Sequence, residues 1–147
     1  MAHQGVMAGS SAPLRLEVVS PDRRVLDAPA DEVVLPGKLG YLGVRAGHTP
    51  LLTELGIGQL SYVYQGKTRY LSLSGGFAEV LPDRVRVLAE AAECAEEIDV
   101  ERARTSQQRA QQEIASRRAA SEEEFLEFQV RLQRALIRIE TAAKREG

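Results

Sequence analysis

Up to about residue 90, apolar positions along the chain alternate with polar ones. Leu14, Leu16 and Val18 stand against Arg15 and Glu17, Leu71 and Leu73 against Tyr70 and Ser72, and Val85 and Val87 against Arg84 and Arg86. Successive side chains of a strand point to opposite faces, so each run predicts a strand with one buried face. Turn signals punctuate the runs at Pro21-Asp22, Pro36-Gly37, Gly56-Ile57-Gly58, Gln65-Gly66-Lys67, Gly75-Gly76 and Pro82-Asp83. Gly66 and Pro82-Asp83 are expected in hairpin turns. Many short strands with closely spaced turns predict an antiparallel sandwich or barrel.

The period then changes. After residue 98 there is no glycine or proline until Gly147. Asp99 is placed to cap a helix, with Glu101 in the first turn complementing the helix dipole. The spacing predicts a helix to about Ala119 with a narrow face of small residues, Ala103, Ala110 and Ile114. Ser121-Glu122-Glu123-Glu124 fits a capping box and opens a second helix. In it Phe125, Phe128, Leu132, Ala135, Leu136, Ile139 and Ala142 recur at steps of three and four, the mark of one buried face. Leu126, Val130 and Ile137 form a second apolar stripe. One stripe suits the first helix. The other needs a further surface, either the sandwich or a partner.

The expected fold is therefore an N-terminal antiparallel β-sandwich over residues 14–97 followed by a C-terminal two-helix hairpin over 98–147. Residues 1–13 read as a disordered leader with neither the basic start nor the apolar centre of a secretory signal. An alanine-rich face contributes little at ~25 cal/mol per Å² of buried apolar area. Such a hairpin is one that can open, and function is expected there.

Composition removes several chemistries. The 147 residues carry a formal charge of −2 with acids and bases interspersed, which leaves no nucleic-acid footprint. No apolar run approaches the ~20 residues that span a bilayer. Cys94 is the single cysteine, so no disulfide forms within the chain. His3 lies in the leader, which leaves His48 as the one imidazole for a catalytic or zinc site.

The glycine-rich stretch "PGKLGYLGVRAGHTP", residues 36–50, invites a phosphate-loop reading. A phosphate loop needs Ser or Thr after Gly-Lys and a helix behind it. Here Gly37-Lys38 is followed by Leu39, and Gly37, Gly40 and Gly43 fall three apart. Short bent strands fit better, with glycine supplying positive φ or room for a neighbouring backbone.

The segments "GYLGVRAGHTPLL", "LSLSGGFAEV", "RVRVLAEAAE" and "IDVERA", in this order and followed by a helical hairpin, resemble the epsilon subunit of bacterial F-type ATP synthases. The resemblance covers residues 14 to 145. It implies a non-catalytic part of the rotating central stalk on the cytoplasmic face of the cell membrane, attached to that membrane only through the complex. The sandwich is then expected to grip the gamma subunit and stand on the c ring. The hairpin is expected to restrain ATP hydrolysis by extending beside the alpha/beta catalytic head. His48-Thr49-Pro50 becomes a turn near the ring-facing surface. Where many relatives carry an acidic residue this chain has Tyr41, so a charged contact to the ring is exchanged for an aromatic one, beside Lys38 and Arg45.

The same resemblance points to ATP as a regulatory ligand, with no catalytic cofactor. Ile98, Asp99, Arg102 and Ala103 match the motif of ATP-binding epsilon subunits, as do Glu93, Arg109, Arg134 and Arg138. Arg102 and Arg109 lie two turns apart on one helix face, and Arg134 and Arg138 one turn apart on the other. Folding is expected to gather four guanidiniums whose repulsion opposes closure until a triphosphate neutralises them. Glu93 and Asp99 are candidates for the adenine amino group or for holding an arginine, and Ile98 and Ala103 for an apolar slot. The bland alternative makes Asp99 a helix cap and the arginines, together with Arg131, Lys144 and Arg145, a solvated face. Two other functions remain for comparison. One is a small enzyme using His48 with Asp31 or Glu54, which needs these groups at close range. The other is an adaptor whose helices pair with an unrelated protein.

Overall fold

The computed structural model describes residues 12–116 and 121–145. Eight strands come first: β1 (Leu14–Val19), β2 (Arg24–Ala30), β3 (Glu32–Gly37), β4 (Gly40–Arg45), β5 (Leu51–Tyr64), β6 (Lys67–Leu81), β7 (Arg84–Ala89) and β8 (Ala92–Cys94). A single 3-10 turn, Ala95–Glu97, leads into helices α1 (Val100–Ala115) and α2 (Glu122–Ala142). The end expected for the first helix, near Ala119, and the leader as far as residue 11 lie outside the described residues.

Strands neighbour one another in the order β2-β1-β7-β6-β5-β3-β4, with β8 also on β6. The long hairpin of β5 and β6 belongs to both layers. Its outer half, Leu51–Leu55 against Gly76–Val80, continues into β7, β1 and β2. Its inner half, Ile57–Tyr64 against Lys67–Ser74, continues into β3, β4 and β8. Between the halves β6 turns a corner at Gly75 and Gly76, with φ of 77° and 120°. A Cβ on Gly76 would stand 2.1 Å from the Leu88 carbonyl oxygen, so only glycine fits there. At the other end Gln65 and Gly66 both take positive φ, 52° and 80°, as a two-residue I′ hairpin turn demands. Pro82-Asp83 makes the second two-residue connection.

The pairing departs from the expectation in one respect. β1 runs parallel to β7, with Arg15 opposite Arg84 and Val18 opposite Val87, so the sandwich is not wholly antiparallel. Its core is what the alternation dictated. Leu14, Leu16, Val18, Val80, Val85 and Val87 of one layer meet Val33, Leu35, Val44, Leu60, Leu71 and Leu73 of the other, all buried. Each such side chain contributes ~1.5–3 kcal/mol when fully buried.

No helical residue belongs to that cluster. The sandwich thus has its own core, and a chain ending at Glu97 is expected to stay soluble and unfold in one cooperative urea transition. A molten or aggregated product would contradict this division at residues 97/98.

Asp99 caps α1, its Oδ1 accepting the Arg102 N–H at 3.1 Å, and Ser121 caps α2 by accepting the Glu124 N–H at 3.1 Å. α1 packs chiefly on α2, while α2 also reaches β5 and β6. The small face of α1 is buried at Ala103 and Ala110, as its spacing predicted. On α2 the buried side chains are Phe128, Ala135, Thr141 and Ala142. Phe125 and Leu136, expected on the buried face, are exposed, so the buried strip of α2 is narrower than its apolar spacing predicted. Of the second stripe, Leu126 is exposed and Ile137 meets the sandwich.

Candidate functional site

The C-terminal half of α2 rests on the sandwich through polar contacts more than through apolar bulk. The Arg138 guanidinium grips Glu93, which precedes the 3-10 turn, with Nε 2.6 Å and Nη2 3.3 Å from the two carboxylate oxygens. Arg134 stands 3.6 Å from Glu90. Gln59 of β5 donates to the buried Thr141 hydroxyl at 3.0 Å and accepts from Lys144 Nζ at 2.9 Å. The same ammonium lies 4.7 Å over the Tyr70 ring. Arg145 donates to the Ile98 carbonyl at 3.0 Å. Beneath Ile137 a void of about 60 Å³ is floored by Ser72 and Ser74, and the buried Ser74 hydroxyl has no protein partner. This contact is specific in geometry and thin in apolar area.

Where the strands give way to the helices, Arg23 holds Glu97 with two nitrogens, at 3.1 and 3.3 Å. The Arg23 hydrogen bond keeps the Glu97 carboxyl below its ordinary value of 4.5, against an opposing effect of burial. A depressed carboxylate stabilises the fold above its unfolded pKa and loses that contribution as pH falls through the folded one. Glu97→Gln is therefore expected to remove one component of acid-induced loosening below about pH 4.5, seen as a shallower pH dependence of melting. Burial pushes the neighbouring Cys94 thiol up to about 11, so it stays protonated at neutral pH.

Between the helices lies a groove of about 380 Å³ lined by Ser106, Arg109, Ala110, Glu113, Arg131, Arg134, Ala135 and Arg138. It brings together Arg109, Arg134 and Arg138 from the set that the sequence singled out, and Glu93 adjoins it through Arg138. Arg102 does not line this groove. Asp99 serves as the cap of α1, and Ile98 and Ala103 are buried.

Two of the four guanidiniums expected to repel one another, Arg134 and Arg138, face carboxylates of the chain itself. Glu113 faces Arg131 at 3.4 Å, Glu90 faces Arg134 and Glu93 holds Arg138. Each arginine of α2 in the groove therefore has a carboxylate, while Arg102 and Arg109 make no ion pair among the described residues. Glu90, Glu113, Gln59 and Thr141 carry no local motif, so no sequence signal pointed to their roles.

A second surface is formed by the β3–β4 turn and the start of β5. Leu39 at the tip is fully exposed, Tyr41 is 63% exposed, and Leu52 also faces outward. Gly37–Leu42 with Leu51, Thr53 and Glu54 line an open recess of about 500 Å³ there, crossed by a Lys38–Glu54 ion pair of 3.0 Å. His48 donates Nδ1–H to the Thr49 carbonyl at 2.6 Å, Asp31 accepts the Gln65 N–H, and Glu54 holds Lys38. These three groups form no acid–base constellation. No helix among the described residues is long and apolar enough to cross a membrane.

A sandwich with its own core, an apolar outward loop and a helical hairpin packed on one side define a non-catalytic docking subunit of a larger assembly. Residues 13–95 match the family model described as ATP synthase, Delta/Epsilon chain, beta-sandwich domain, and residues 96–143 the one described as its long alpha-helix domain. The chain is similar to the ATP synthase epsilon chain of Koribacter versatilis, 55% identical over 98 residues covering 67% of this chain and 69% of that one. It is also similar to that of Syntrophobacter fumaroxidans, 43% identical over 131 residues covering 89% and 96%. Among solved structures it resembles a chain of the Euglena gracilis mitochondrial ATP synthase OSCP/F1/c-ring assembly, with a TM-score of 0.74, 25% identity and coverage of 92% and 83%. The chain belongs to the ATP synthase epsilon-chain family, as a stalk subunit and not a catalytic one.

Proposed function

We propose that the chain works as a rotor subunit on the cytoplasmic face of a bacterial membrane, helping to couple proton flow to ATP synthesis. Its sandwich contacts gamma and, through the β3–β4 face, the c ring. Its hairpin restrains ATP hydrolysis when α2 leaves the sandwich and extends beside the alpha/beta head. The observation that carries this reading is the mode of docking: α2 is held by a few polar contacts over small residues, while the sandwich core includes no helical residue. A docked element of that kind opens at low cost, as switching elements must. Deleting residues from Ser121 onward is expected to raise ATP hydrolysis by the assembled enzyme several-fold with assembly intact. Unchanged hydrolysis at every ADP level and proton-motive force would overturn the inhibitory role.

ATP is the proposed regulatory ligand of the closed hairpin, bound without hydrolysis. The groove between the helices supports this reading, with the acid-paired Arg134 and Arg138 and with Arg109, which makes no ion pair among the described residues. Glu93, Ile98, Asp99, Arg102 and Ala103 complete the proposed set around its sandwich end. Because Arg138 is already held by Glu93, a triphosphate competes with that carboxylate, and closure is favoured only by its excess affinity for the closed form. Calorimetry on the isolated chain is expected to show saturable heat with ATP, lost in Arg138→Ala. Absence of heat and of chemical-shift change at millimolar ATP would exclude the ligand.

A further inference from the structure

The outward β3–β4 face and the docked end of α2 share one residue, Gln59. Where β5 passes β3, register jumps: Val34 pairs with Ser61, but Gly37 pairs with Leu55. The intervening stretch of β5 has no β3 partner, and Gln59 lies in it. Its N–H donates to the Tyr41 hydroxyl at 3.3 Å, reached across from β4. Tyr41 is opposite Pro36 in the β3–β4 ladder, and both lie against Gly58. A Cβ on Gly58 would be 2.6 Å from Pro36 Cβ and 3.0 Å from the Tyr41 hydroxyl, so the tyrosine is seated in a place that only glycine leaves open. The Gln59 side chain leads to the helix, donating to Thr141 and accepting from Lys144. Backbone and side chain of one residue thus bind two surfaces.

We infer that Tyr41, Gln59 and the Thr141–Lys144 end of α2 form one coupled unit, so that whatever occupies the β3–β4 face sets how firmly the hairpin docks. Tyr41 acts as a positioning residue. A partner that turns its exposed ring withdraws the hydroxyl from Gln59, frees the irregular stretch of β5, and moves the amide that holds Thr141. Thr141 is fully buried, and an amide displaced from it leaves its hydroxyl unsatisfied, which favours release of the helix. Ring contact and hairpin opening are then linked within one subunit. This rests on the proposal that the β3–β4 face meets a partner.

Hydrogen exchange on the isolated full chain tests the coupling without any partner. Tyr41→Phe keeps the ring and removes the hydroxyl. It is expected to raise exchange over residues 137–145 about fivefold, as loss of one net hydrogen bond allows, with β1 and β7 amides unchanged. Thr141→Val is expected to do the same, and the double variant to exceed either single change only slightly. Gly58→Ala, which pushes Tyr41 off its seat, should reproduce the Tyr41→Phe pattern. Unchanged exchange over 137–145 in Tyr41→Phe, or a double effect equal to the product of the singles, would overturn the coupling. Either result leaves the rotor role standing, since that is tested by hydrolysis in the assembled enzyme.

Discussion

Gly76→Val is expected to leave the sandwich unable to fold at physiological temperature. Position 76 has φ of 120°, a conformation that L side chains rarely adopt, and an added Cβ meets the Leu88 oxygen, carbonyl carbon and Ala89 Cα at 2.1 to 3.0 Å. All three are backbone atoms of β7, the strand that joins the outer half of β6 to β1, so neither side can yield without opening the ladder. Strain of ~3 kcal/mol or more is the expected minimum. Domains of this size hold ~5–15 kcal/mol in total and lose ~4–8 °C of melting temperature per kcal/mol. A fall of about 12 °C or more is therefore expected by circular dichroism, with insoluble product as the extreme. Gly66→Asn provides the contrast. Its φ of 80° is one that asparagine tolerates and nothing lies within 4 Å of the added Cβ, so a loss under ~1 kcal/mol is expected.

Arg138→Ala is expected to free α2 from the sandwich while leaving the sandwich intact. The Arg138–Glu93 pair is two-pronged and only 23% and 31% exposed on its two side chains. Removing the guanidinium leaves a half-buried Glu93 with no counter-charge, a change of ~1–2 kcal/mol at such a site after allowance for solvent. The open population should then rise about tenfold, read by the distance between fluorophores on β2 and on α2. Exchanging the charges as Glu93→Arg with Arg138→Glu should restore a good part of the docking. Failure of Arg138→Ala to change that distance would mean that Gln59, Lys144 and Arg145 hold the helix by themselves. Since ATP is proposed to use the same arginine, the distance is to be measured without nucleotide, where only docking is reported.

Period-two and period-3.6 patterns made the layers and the hairpin legible because each is a local consequence of which face is buried. Asp99 and Ser121 were legible as caps for the same reason. A cap is satisfied by an N–H three residues on. The parallel register of β1 on β7 was not legible, since nothing near Arg15 names Arg84 as its neighbour. The arginines of α2 were visible as a periodic set, but Glu90, Glu93 and Glu113 come to them through the fold of the chain and not through spacing. Of the four arginines expected to repel one another, Arg134 and Arg138 are thus paired with carboxylates, Glu93 being the one partner the sequence had offered. Tyr41 was visible as an aromatic in a glycine-rich loop. Its hydrogen bond to Gln59 depends on a register jump that no single-sequence pattern encodes.

The parallel seam between the first strand and the seventh also bears on how the chain is made. Glu17 and Arg86, which meet across it, are separated by 69 residues. During synthesis Leu14, Leu16 and Val18 therefore leave the ribosome long before Val85 and Val87 exist to bury them, and distant pairings of this sort form slowly. For that interval the leading hairpin offers an apolar face to whatever is nearby. The helices emerge after the strands, onto a completed sheet, so the hairpin proposed to restrain hydrolysis acquires its docking surface before it is itself made.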